Sequence, residues 1–197
     1  NLDGLTTRTT VTFDQDLESD TLNLNSAIIT GPGLTRIKHF MNHFRTEFQF
    51  DYFAHIESVN NFPTGAGIAS SASAFAALAA ACLTAAHIPA DERSISRLAR
   101  FGSGSACRSV PQAFTEWLPG TGDEDSYAVS FADVTHWDLV DCIAVVTHGH
   151  KSTSSTEGHA LAHTSPLQSA RVADSARRLN ECRSAILSRD FNALAEI

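Results

Sequence analysis

Residues 60–86 read NNFPTGAGIASSASAFAALAAACLTAA, a glycine-bearing loop that runs through two serines into a long alanine-rich stretch. A loop of this kind followed by a helix constrains the fold around it more than any other segment of the chain. Gly65 and Gly67 permit positive φ and let backbone N–H groups approach an anion closely. Ser70 and Ser71 stand where the helix is expected to begin, so their hydroxyls and the free N–H groups of the first turn face the same way. The helix dipole adds partial positive charge there. This pattern suits a polyphosphate, and Gly65, Ala66, Gly67, Ala69, Ser70 and Ser71 are the residues expected to hold it. The loop has neither the lysine of G-x-x-x-x-G-K-[ST] nor the spacing of G-x-G-x-x-G. Taken alone, it also fits a plain turn with a helix N-cap.

A second segment, GSGSACRS at 102–109, repeats the design with small residues, hydroxyls and then an arginine expected in the first turn of a helix. Together, NNFPTGAGIASSASAFAALAAA and RLARFGSGSACRSVPQAFTEW closely resemble the mevalonate diphosphate decarboxylases, members of the GHMP group of small-molecule kinases. SSTEGH at 154–159, with TSPL at 164–167, is similar to the family's S-T-x-G-M…T-S stretch. LDGLTTRTTV at 2–11 resembles its early strand. The likeness runs in order along nearly the whole chain.

The resemblance implies a two-lobed α+β fold of the GHMP-kinase type, with the active site in the cleft between lobes. The expected lobes are an ATP-binding lobe at 1–136 and a partial C-terminal lobe at 137–197. It implies an ATP-dependent decarboxylation of mevalonate 5-diphosphate through phosphorylation of its 3-hydroxyl, in isoprenoid biosynthesis. The alternatives are the 5-monophosphate as substrate, or a 3-kinase that stops before decarboxylation. Arg108 is the expected clamp for the substrate carboxylate, because its planar fork binds a carboxylate bidentately. Ser103 and Ser105 would hydrogen-bond the substrate, with Ser105 beside Arg108 in the reacting group. Ser155 and Thr156 would reach the same cleft from the second lobe. Ser70 and Ser71 would hold the ATP phosphates, and Ser71 would help place Mg²⁺, which needs few protein ligands when phosphates supply oxygens. Lys151 either contacts phosphate or is a solvated lysine.

Arg36 and Lys38 precede His39, His43 and Arg45 on an expected helix. This basic stripe either receives the substrate's 5-phosphate end, with Arg36 foremost, or is a solvated face. Three details depart from the family pattern: Gly65 for an alanine, Pro111-Gln112 after the CRS, and His159 for a methionine. The family also carries a lysine-containing N-terminal motif and a D-A-G-P-N-like stretch whose aspartate acts on the 3-hydroxyl. Neither is among these 197 residues, so the chain is expected to be part of a longer protein, and no residue here is assigned as the base.

Composition narrows the partners. A net charge of −8 argues against nucleic acid or an anionic membrane surface. No apolar stretch is long enough to span a bilayer, and no secretory signal opens the sequence. The four cysteines are scattered without a C-x-x-C pair, which fits free thiols in a reducing cytoplasm. A small-molecule substrate is the expected partner, and the family's habit is a homodimer. A zinc module is the rival from another class, because His148, His150, His159 and His163 give H-x-H and H-x-x-x-H spacings, though no cysteine or carboxylate completes a site. A non-catalytic relative is the third possibility.

Periodicity places strands at 6–13, 21–25, 49–56, 113–118, 127–131 and 139–147. Helices are expected at 34–48, 71–86, 91–100, 105–109, 165–188 and from 191 onward.

Overall fold

The computed structural model describes residues 1–63, 70–144 and 155–197, the last with side chains from residue 158 onward. The chain divides into two compact units, Asn1–Asp133 and Val134–Ile197.

In the first unit, β1 (Thr7–Asp14), β2 (Thr21–Leu24), β3 (Ala27–Ile28) and β4 (Phe53–Asn60) form one sheet in the order β1-β4-β2-β3. β1 lies antiparallel to β4, from Thr7 opposite Asn60 to Asp14 opposite Phe53, while β2 runs parallel to β4. Alternation sets the faces. Val11, Leu22, Ala54 and Ile56 are buried, and Arg8, Thr10, Thr12, Glu57 and Val59 look outward. Helices α1 (Gly31–Phe48), α2 (Ser70–Ala85) and α3 (Glu92–Gly102) bring Phe40, Met41, Phe44, Phe75, Leu78, Cys82, Leu83 and Leu98 to the same core. The alanines of α2 act by being small: Ala72, Ala76 and Ala79 are buried, so the helix backbone packs closely on its neighbours. After α3 come a 3-10 helix at Gly104–Ser109 and a hairpin of β5 (Phe114–Leu118) and β6 (Tyr127–Ala132).

Two boundaries differ from expectation for local reasons. α1 begins at Gly31 rather than residue 34, because Pro32 occupies the first turn, where its fixed φ and missing N–H suit a helix start. The strand expected at 49–56 runs instead over Phe53–Asn60. Gln49, at φ 51°, ends α1 in the left-handed conformation, so residues 49–52 belong to a cap and turn rather than to the ladder.

The second unit is helical among the described residues: α4 (Ser155–Ala160), a 3-10 turn at Ala162–Thr164, α5 (Gln168–Ser188) and α6 (Phe191–Ala195). Arg189, left-handed at φ 58°, closes α5, and Asp190 caps α6 by accepting from the Ala193 N–H at 3.0 Å. The strand expected at 139–147 is not found over 139–144, which are exposed and irregular. A strand needs a ladder partner, and none is present among the described residues of this unit. No described helix is long and apolar enough to cross a membrane.

Candidate active site

The site is built where β4 ends, α2 begins and α3 ends. Asn61 is fixed to the start of β1: its Oδ1 accepts from the Thr6 N–H at 2.8 Å, its N–H donates to the Thr6 carbonyl at 3.2 Å, and its Nδ2 donates to the Gly4 carbonyl at 2.6 Å. On the far side of the loop, the Ser73 hydroxyl donates to the Ser70 carbonyl at 3.2 Å. Thr7 joins the two sides, its Oγ1 lying 2.7 Å from Asn60 Oδ1 and 2.8 Å from Ser73 Oγ. Both ends of the glycine-bearing loop are therefore held by one strand residue. Nothing in the sequence marked Thr7 for this role beyond its place in a threonine-rich strand.

The second motif is brought to the first by packing. Gly102 ends α3 against Phe75 of α2, and a Cβ there would fall inside the phenylalanine ring. Its carbonyl accepts from Arg36 Nε and Nη2 at 3.1 and 2.8 Å, and the Arg36 guanidinium lies 4.9 Å from the Phe75 ring centre. This approach leaves Ser71 Oγ and Ser103 Oγ 3.4 Å apart. Arg36 thus borders the turn that carries Ser103, while its basic neighbours disperse. Arg45 pairs with buried Asp20, and His43 stacks on Phe101 and meets Glu47 at 3.0 Å. The five basic residues of α1 do not form one face.

Arg108 stands in the last turn of the 3-10 helix, not the first turn of a helix as the motif suggested. The helix tightens to 3-10 form over one short stretch and ends before Pro111, which cannot continue it. Ala106 and Cys107 are buried beneath it, and burial raises the Cys107 thiol above its ordinary range. The Arg108 carbonyl accepts from the Thr115 hydroxyl at 3.2 Å, whereas its exposed guanidinium donates no hydrogen bond to, and forms no ion pair with, the described residues. Apart from exposed Arg8 on β1, the other arginines of this unit are committed. Arg97 binds Glu47 and Asp123, Arg100 binds Asp123, and Arg93 donates to the Glu124 carbonyl and covers Tyr127. Ser103 and Ser105 are partly exposed on either side of Gly104.

The family model for the diphosphomevalonate decarboxylase-like N-terminal domain matches residues 1–128. The chain belongs to the diphosphomevalonate decarboxylase family. Residues 142–197 match the mevalonate 5-diphosphate decarboxylase C-terminal domain. The diphosphomevalonate decarboxylase of Eremothecium gossypii is 46% identical over 148 residues, covering 73% of this chain and 37% of that protein. The phosphomevalonate decarboxylase of Haloferax volcanii is 33% identical over 192 residues, 97% of this chain and 58% of that protein. The fold matches the crystal structure of mevalonate diphosphate decarboxylase from Staphylococcus aureus with a TM-score of 0.85 at 37% identity, over 96% of this chain and 58% of that one. It also matches a structure of "MDDEF in complex with MVAPP, AMPPCP and Magnesium", with a TM-score of 0.83 at 34% identity, over 96% of this chain and 59% of that one. The chain therefore spans well under two thirds of the curated relatives it matches. Its α+β architecture is that of the family's GHMP-kinase-like fold.

Gly65, Ala66, Gly67, Ala69, His148, His150 and Lys151, and the side chains of Ser155 and Thr156, lie outside the described residues. Among the described residues, no three His, Cys, Asp or Glu side chains group to hold a metal ion.

Proposed function

We propose that the protein containing this chain decarboxylates mevalonate 5-diphosphate to isopentenyl diphosphate, consuming ATP and releasing ADP, phosphate and carbon dioxide. The observation that carries this is the meeting of the two motifs, with Ser71 Oγ 3.4 Å from Ser103 Oγ. The start of a 16-residue helix is placed beside a turn bearing hydroxyls and an arginine. The donor set fits a magnesium nucleotide: serine hydroxyls and a helix N-terminus, without a carboxylate cage. Ser70 and Ser71, with Gly65, Ala66, Gly67 and Ala69, would hold its phosphates, and Ser71 would border Mg²⁺. When bound, the nucleotide supplies the phosphoryl group that turns a tertiary hydroxyl into a leaving group.

The chain's own residues orient the substrate. Arg108, with no described protein partner, is the fork for its carboxylate. Ser103 and Ser105 donate to the same molecule, and Arg36, anchored beside Ser103 through Gly102, would meet the 5-phosphate end. Ser155 and Thr156 would add contacts from the C-terminal lobe, the lobes being 1–136 and 137–197. As phosphate departs, positive charge grows at C3 and the breaking carboxylate bond supplies electrons to it. Fixed alignment of that bond is the contribution expected of Arg108. The protein would act in the cytoplasm as a homodimer on this small molecule, with neither nucleic acid nor membrane as partner.

A second reading, decarboxylation of mevalonate 5-phosphate, is favoured by the 97% of this chain aligned with the Haloferax volcanii phosphomevalonate decarboxylase. The full-length protein with ATP and Mg²⁺, offered each ester separately, separates the two. Carbon dioxide from the diphosphate alone is expected, and gas from the monophosphate alone establishes the second reading. ADP without gas indicates a 3-kinase, and neither product overturns both readings.

A further inference from the structure

Ser96 lies in the middle of α3 with its side chain fully buried, and it is not among the residues assigned to substrate or nucleotide. A buried hydroxyl in a helix interior usually returns its proton to its own helix. This one does not. Its Oγ donates to the Cys107 carbonyl at 2.9 Å and accepts from the Ala128 N–H at 2.9 Å. The first partner belongs to the 3-10 helix that carries Ser105 and Arg108, and the second to β6. A single hydroxyl therefore joins α3, the substrate turn and the hairpin.

Within the turn, the Cys107 carbonyl accepts only a long bond, from the Val110 N–H at 3.4 Å. The next carbonyl, that of Arg108, is held by Thr115 from the hairpin. Two consecutive peptide groups are thus gripped by two different elements, α3 and β5, just where the backbone sets the direction of the Arg108 side chain. A 3-10 helix is a weak template by itself, because its hydrogen-bond geometry is poor. The grip from Ser96 supplies what the turn lacks.

We infer that Ser96 is a positioning residue for the carboxylate-binding turn, fixing the Cys107–Arg108 peptide through its bridge to β6. This rests on Arg108 binding the substrate carboxylate as proposed above. The role is assigned to the carboxylate end of the substrate, because among the described residues the Ser96 hydroxyl bonds the 3-10 helix and β6 and not the start of α2, where the nucleotide phosphates are expected.

The test uses the full-length protein and three variants. Ser96→Ala removes the bridge, taking away the Ala128 N–H's hydroxyl partner and leaving the Cys107 carbonyl with only its long bond from Val110. Ser96→Cys keeps the volume with a weaker donor, and stands in if the alanine variant does not fold. Asp91→Ala removes the N-cap of the same helix, away from the turn. The expected result is a KM for the mevalonate ester raised about tenfold in either Ser96 variant, with KM for ATP changed less than about twofold. Asp91→Ala is expected to leave both within about twofold. A Ser96 variant with unchanged KM for the ester, or an equal shift in Asp91→Ala, overturns the inference. Amide exchange reads the same point without turnover. The Ala106 and Val110 N–H groups, bonded to Ser103 and Cys107, should exchange about tenfold faster in the Ser96 variants and as in the parent in Asp91→Ala. Unchanged exchange in the Ser96 variants also overturns it. If the parent protein turns over neither ester, the proposed function fails, and the exchange result still decides for or against Ser96.

Discussion

At the scale of single residues, small size and an unpaired charge matter most. Gly102 has no room for a Cβ because Phe75 lies against it. Gly102→Ala is therefore expected to destabilise the first unit by about 1–3 kcal/mol, as overpacking does. Thermal unfolding would show it, and Phe75→Leu in the same chain should restore part of the loss. Arg108→Lys keeps the charge and loses the fork. For the full-length protein we expect kcat/KM for the mevalonate ester to fall by about a hundredfold. A change of less than about threefold would remove Arg108 from the carboxylate site. The thiols sort by burial. Cys82 and Cys107 are buried, and burial raises both above the ordinary range, while Cys142 is exposed. Alkylation of the native protein at neutral pH should reach Cys142 first and leave Cys82 and Cys107 until unfolding; peptide mapping of the label would check the order.

At the scale of elements, ion pairs and caps hold helices to sheets and turns to themselves. Arg45 of α1 binds Asp20 through two hydrogen bonds, at 3.0 and 2.8 Å, and Asp20 also accepts from the Ala54 N–H of β4 at 3.0 Å. Asp20 is almost fully buried. Arg45→Met should strand that carboxylate and cost about 3–5 kcal/mol in denaturant unfolding. Asp125 closes the turn between β5 and β6, accepting from the Thr121 N–H, the Thr121 hydroxyl and the Gly122 N–H. These bonds hold its pKa down at about 2. A carboxyl lowered in the folded state stabilises it above the unfolded value of about 3.9. That contribution falls away as pH drops toward about 2. Asp125→Asn should flatten this part of the acid limb of a stability–pH profile; an unchanged limb would mean the turn contributes nothing there.

At the scale of the whole molecule, the proposed substrate and nucleotide groups come from different stretches of one chain. Chelating Mg²⁺ should stop turnover of the full-length protein, because the proposed nucleotide site would take its phosphates with the metal. Binding of the mevalonate ester should stay within about threefold by calorimetry, since Arg108, Ser103 and Ser105 need no metal. Equal loss of both would put the metal in the ester's own site. Much of the fold was legible from residues. The 3.6-residue spacing in α1, the Asp91 cap and the alanine run of α2 are local signals, and each lies close to where the structure has it. The motif GSGSACRS named the family and its arginine without any fold. The strand expected at 139–147 shows the limit over its described part, 139–144, because apolar character does not supply a ladder partner; residues 145–147 lie outside the described residues. By itself, then, the sequence determined most of the elements of the first unit and the family its motifs belong to, since propensity, capping and motif identity are properties of neighbouring residues. Only the tertiary structure decided that Ser71 meets Ser103, that Arg36 turns to Gly102, and that Thr7 and Ser96 tie the two motifs in place. Those contacts join residues far apart in the chain, and their geometry is set by how closely α2, α3 and the sheet can pack.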